Sequence, residues 1–373
     1  PARCHAGVLR LSLSGIAGST YGLTVASPVD YGFAAATARR LAPAGPTLSL
    51  TEAADVVGEL RAVTVQAEWH VRDVTGLLPP GEPGPATVVD RGGWAQANVE
   101  GFKVVLEPVA ERLLAGKQSG RVATAVTGKI AGLQMGSILA WLSSKVLGQY
   151  EAFTEPGRPG RLVLVAPNIV ETERRLGVDP SDFRLWVALH EVTHRTQFTA
   201  VPWLHGHVRG EIDALLDAAD LGDPAKLLAR LKEGIGERRA LAELLQTPAQ
   251  RAVLERVTAF MSLLEGHAEH VMDGVGPGVV RSVDTIRERF QERRAQRGGP
   301  LDRLLRRVLG LDLKALQYAE GSVFVKHCVD AVGMADFNRV WESPQTLPTR
   351  QEIREPQLWV QRVHSDAARL STG

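Results

Sequence analysis

Residues Trp186 to Phe198 read WVALHEVTHRTQF, with two histidines four residues apart and a glutamate directly after the first. On a helix of 3.6 residues per turn, His190 and His194 share one face about 6 Å apart along the axis. Two imidazoles so placed can converge on one tetrahedral zinc ion, and Glu191 beside them can take a proton from its water. The H-E-x-x-H pattern has few fixed positions and recurs by chance in unrelated helices. The elements that carry it must therefore decide.

Asp179-Pro180 is a good helix start: an acceptor at the N-cap, then a proline whose missing N–H costs nothing there. Phe183, Trp186, Val187, His190, His194 and Phe198 follow at helical spacing, and Pro202 stops the run. The spacing predicts a helix of about 20 residues with both histidines on one face. A catalytic zinc needs a third protein ligand and an open fourth position. The metzincin extension would place glycine and histidine where this chain has Gln197 and Ala200, which excludes that class. His205 and His207 lie past Pro202, on an expected loop.

The stronger third ligand is Glu265, in AFMSLLEGHAEHVMD (Ala259 to Asp273). Val257, Met261, Leu264, Ala268 and Met272 form an apolar helical stripe, and Glu265 sits on it, where an unpaired carboxylate is costly to bury. A metal would offset that cost, as would an arginine. Gly266 lets this helix approach another closely. His267 could be ligand, substrate contact or packed residue. Glu269 and Asp273 are spaced to act behind the ligands or to face solvent, and the role of His270 is open. Another Glu-Gly pair lies in Leu313 to Met334, where Glu320 is a rival ligand. There Tyr318 could donate a hydrogen bond to a developing oxyanion, or belong to the core.

The 373-residue chain as a whole is 44% hydrophobic and 23% charged, the composition of a soluble globular protein with a substantial core. Its 43 basic and 42 acidic residues give no global field pointing to nucleic acid. Cys4 and Cys328 form neither a disulfide framework nor a thiolate zinc site, which suits a cytoplasmic protein. The longest apolar stretch, Ile130 to Gly148, holds a G-x-x-x-G spacing, yet Gln134, Ser137, Ser143, Ser144 and Lys145 dilute it. It reads as a buried, closely packed helix rather than a membrane span. Helical patterning also covers Asp30 to Arg72, broken at APAGPT, and Ala95 to Ala115, with a Pro/Gly-rich loop between them. RLVLVAPNIV (Arg161 to Val170) is the clearest strand, with a Pro167-Asn168 turn signal inside it. The arginine-rich stretch from Arg281 to Gly310 reads as two helices about an RGGP turn. The fold class expected is mainly α, an α+β chain with a small sheet.

HEVTHRTQF, PWL, LLEGHAEHVMD, QYAEGSVFV and ADFNRVWESPQTLPTRQEI together resemble an uncharacterised actinobacterial family of zincin-like metallohydrolases. The resemblance runs from about SPVDYGFAAATARRL to the C-terminus. It implies a zincin-like core with helical additions, with His190, Glu191 and His194 at the family's motif. The EGHA segment is similar to the glutamate-bearing helix of glutamate-type zincins, which supports Glu265. Residues 1–25 are then expected to be a tail, 26–160 an N-terminal helical region, 161–300 the metal-binding core and 301–373 a helical region packed on it. The function expected is a zinc-dependent hydrolase, foremost a metallopeptidase, acting on a peptide or small amide, with neither nucleic acid nor membrane insertion. The alternative is a non-catalytic zinc-binding or accessory protein, because some members are linked to biosynthesis of a deazaflavin coenzyme. The intact Glu191 favours the enzyme, since a structural zinc needs no base.

Overall fold

RLVLV at Arg161–Val165 is the middle strand of a three-stranded sheet. The structure, a computed structural model, describes residues 29–114, 121–152, 154, 160–218, 247–295 and 311–370. This strand, β3, pairs in parallel with β1 (Thr87–Val89) and antiparallel with β2 (Gly148–Glu151), placing Val88 and Gly148 opposite Leu164. A middle strand covered on both faces reads as an unbroken apolar run. Leu162 and Leu164 point into one core, and Val163 and Val165 into another.

The second of these cores joins β3 to α1 (Tyr31–Leu41), α3 (Arg91–Leu114) and α4 (Arg121–Leu142) through Ala34, Ala38, Trp94, Val99 and Leu139. As the G-x-x-x-G spacing predicts, α4 packs closely: a Cβ on Gly136 would lie 2.5 Å from Ala34 O. Among the described residues no helix is long and apolar enough to cross a membrane. The first core is built from α2 (Leu50–Thr75), β3, α5 (Ala166–Leu176) and α6 (Pro180–Ala200), with Leu60, Ile169, Phe183 and Leu189 wholly buried. As expected, α6 starts at an Asp179 side chain that accepts from Asp182 N, with Pro180 at its first turn.

Next come α7 (Leu204–Ala218), α8 (Pro248–Val275), α9 (Val283–Ala295), α10 (Leu311–Phe337), α11 (Arg350–Arg354) and α12 (Pro356–Leu370). A third core holds α8, α10 and α12 together through Leu263, Phe324, Phe337 and Trp359. There α8 and α10 meet glycine to glycine. A Cβ on Gly266 would lie 2.1 Å from the Gly321 carbonyl carbon, and one on Gly321 1.9 Å from Ser262 O. Both glycines are required by backbone-to-backbone contact.

The helical content and small sheet match the expected class, but three boundaries differ. The strand ends at Val165, and Ala166 begins α5 with Pro167 in its first turn, where proline needs no N–H partner. Asn168 is no turn residue; it is buried, donating to Ser143 O at 2.7 Å and Val146 O at 2.6 Å while accepting from Arg91 Nε at 2.6 Å. The helix expected to reach Gly148 stops at Leu142, and Gly148–Glu151 is strand β2. Within the Pro/Gly-rich loop, Thr87–Val89 forms β1. The N-terminal tail and the second half of the arginine-rich stretch lie outside the described residues.

Candidate metal centre

On consecutive turns of α6, His190 and His194 bring their Nε2 atoms within 3.1 Å of each other. Glu265 reaches across from α8, with Oε2 3.5 Å from the Nε2 of each histidine. In a tetrahedral zinc site with bonds of about 2.0–2.1 Å, ligand atoms lie about 3.3 Å apart. The three donors thus have the spacing of one face of a tetrahedron. Glu265 Oε2 is buried, and the imidazole nitrogens beside it are too far for a strong hydrogen bond, so a cation at their centre suits it. His190, His194 and Glu265 are the group of His, Cys, Asp and Glu residues, among those described, that could hold a metal ion.

Burial opposes ionisation of Glu265, but its attraction to His190 and His194 outweighs this and holds its carboxyl well below the usual range. Burial likewise disfavours the charged form of His194, yet Glu265, then Glu191 and Gln197, raise it to about 9. A cation-seeking pocket explains both directions. A proton on His194 supplies that positive charge.

Gln197, one turn beyond His194, is wholly buried. Its Oε1 lies 3.0 Å from His194 Nδ1, and its amide nitrogen is 3.0 Å from both Leu264 O and His267 Nδ1. His267 is outside the histidine–glutamate group and does not line the cleft that opens onto it. It is fully buried against Phe337 and Trp341, and burial, then His270 and His194, depresses it to about 3.

Glu191 is 7% exposed and lies against β2, where a Cβ on Gly148 would come within 2.7 Å of its Cγ. Only glycine lets the strand pass so close to the carboxylate. Beside β2 a cleft of about 830 Å³ opens onto His190, Glu191, His194 and Glu265. Tyr150, Trp186, Phe198 and Phe260 give it aromatic walls.

The other sequence candidates lie elsewhere. Glu320 forms ion pairs with Arg350 and, at 3.5 Å, Arg354. His205 and His207 stand on α7, not on a loop, with their rings against Phe198 and Phe260. Asp273 is exposed and pairs with Arg287. Glu269 and His270 are half-buried, and neither belongs to the histidine–glutamate group. Tyr318 falls in α10, but its side chain lies outside the described residues. Sequence reasoning missed Gln197 and Gly148. A glutamine three residues after the second histidine was the one visible signal for Gln197; nothing local marked Gly148.

The model of the zincin-like metallopeptidase family matches residues 29–360, and the chain belongs to that family. A crystal structure from Chloroflexus aurantiacus, described as a hydrolase candidate with a novel fold, is similar over 90% of this chain and 99% of its own. The two share 31% identity, with a TM-score of 0.67. No curated protein significantly matches the chain.

Proposed function

We propose that the chain is a zinc-dependent peptidase in which His190, His194 and Glu265 hold the metal and Glu191 is the general base. The observation that carries this reading is the spacing of 3.1–3.5 Å among three donor atoms at the foot of a cleft that also reaches Glu191. Zinc held there supplies Lewis acidity to the scissile carbonyl and to the attacking water. Glu191 takes a proton from that water and delivers it to the leaving amine. Its burial against Gly148 limits its rotamers and keeps the carboxylate beside the histidines. The cleft beside β2 has room for an extended chain, and its aromatic walls favour a peptide over a small amide. Tyr318 is the candidate donor to the oxyanion. The cytoplasm is the proposed setting. A link to deazaflavin coenzyme biosynthesis belongs to the alternative reading, a non-catalytic zinc-binding or accessory protein.

The test is Glu191→Gln, assayed on a mixed-peptide library by mass spectrometry with zinc measured by elemental analysis. Zinc content should match the parent's, while cleavage falls by roughly 10²–10⁴-fold, as for a lost general base. Equal cleavage by both proteins overturns the assignment of Glu191. A zinc-loaded parent that cleaves no member of the library overturns the peptidase reading.

A further inference from the structure

Gln197 brings no reactive group, yet its buried carboxamide touches three others at 3.0 Å. A backbone carbonyl only accepts, so the contact with Leu264 O fixes which end of the carboxamide is the NH2 group. That end donates to Leu264 O and His267 Nδ1, leaving Oε1 facing His194 Nδ1. Since Oε1 only accepts, His194 must carry a proton on Nδ1, and its Nε2 is the nitrogen free for a metal. This Nε2 is the atom that meets His190 and Glu265. Leu264 directly precedes Glu265, so the same carboxamide ties α6, with two ligands, to the backbone that bears the third.

We infer that Gln197 is a positioning residue: its carboxamide selects the His194 tautomer and sets the distance between the α6 and α8 ligands. The inference rests on reading His190, His194 and Glu265 as metal ligands. It accounts for a wholly buried carboxamide held between His194 on one side and Leu264 O and His267 on the other.

Two measurements test it. The first is the ring 15N spectrum of histidine-labelled, metal-free parent at pH 10, where neutral imidazoles report their tautomer. His194 should be protonated at Nδ1, and Gln197→Met should lose that preference while its circular dichroism stays helical. The second is zinc affinity by competition with a chelator, which should fall by roughly 10–100-fold in Gln197→Met, as when a group behind a ligand is removed. A zinc-binding parent with His194 protonated at Nε2 overturns this role alone, as does Gln197→Met binding zinc within about 2-fold of the parent. A parent that binds no zinc overturns the metal reading and this role with it. Should Gln197→Met fail to fold, the parent's tautomer still decides.

Discussion

Two of the chain's four Glu-Gly dipeptides, Glu265-Gly266 and Glu320-Gly321, meet at one crossing, where the two glycines press their helices together. The carboxylates beside them meet opposite surroundings. Glu265 is 6% exposed between two imidazoles, whereas Glu320 is half-buried with Arg350 and Arg354. Guanidinium groups satisfy a carboxylate permanently, because they do not lose their protons. Imidazoles satisfy it only while protonated, or while a cation sits between them. The residue pair is the same, and the partner decides whether it becomes a bolt or a ligand.

Removing the Glu265 carboxylate breaks the comparison most sharply. Glu265→Ala should weaken zinc binding on the order of 10²–10³-fold, one ligand's share of a site worth roughly 10–16 kcal/mol. Chelator competition measures it, and a variant that keeps the parent's affinity would falsify Glu265 as ligand.

The shared crossing comes next. Gly321→Ala puts a Cβ into the Ser262 carbonyl, so stability should fall by about 3 kcal/mol, the upper end of overpacking costs, because backbone rather than side chain must move. Gly58 of α2 is a helical glycine with open space around it, and Gly58→Ala should instead gain about 0.5–1 kcal/mol. Denaturant midpoints for the pair give both signs; a harmless Gly321→Ala would mean that the helices can part freely.

Acidity probes the Glu265 site more gently. His194 is raised from 6.5 to about 9, so its contact with Glu265 stabilises the metal-free protein fully below about pH 6.5 and is lost as pH rises through about 9. Glu265 is lowered from 4.5, so its share is present above that value and is lost as pH falls through its folded pKa. Zinc must displace the His194 proton, so affinity should rise about 10-fold per pH unit between pH 7 and 8.5. Titrations across that range, corrected for protonation of the chelator, measure the slope, and a flat profile would remove the proton from the site. Smallest is Glu320→Ala, expected to cost about 1 kcal/mol of stability for a part-exposed pair and to leave zinc affinity within about 2-fold. A larger loss of zinc would make the second carboxylate more than a bolt.

The sequence made the motif helix legible because its signals are local: an N-cap, a proline in the first turn, and a 3.6-residue stripe carrying both histidines. Glu265 was legible for a different reason, the cost of a carboxylate on an apolar stripe. The misread boundaries have separate causes. Proline and asparagine favour turns and also the opening of a helix, so Pro167-Asn168 suited either. Strand β2 reads GQYE, without a β-branched residue, and takes its form from pairing with Arg161–Val165. Gln197 was seen only as the absence of a glycine, since its partner Leu264 O lies 67 residues away.

The alternating faces of β3 have a mechanical consequence. Leu162 and Leu164 wall the core beneath the motif helix, while Val163 and Val165 wall the one formed with α1, α3 and α4. Neither core can melt without stripping the other of a surface, so five residues fuse two helical layers into one cooperative unit. The strand that bears on Glu191 is hydrogen-bonded to this shared wall. That wall connects the N-terminal helices, through β2, to Glu191, the proposed general base.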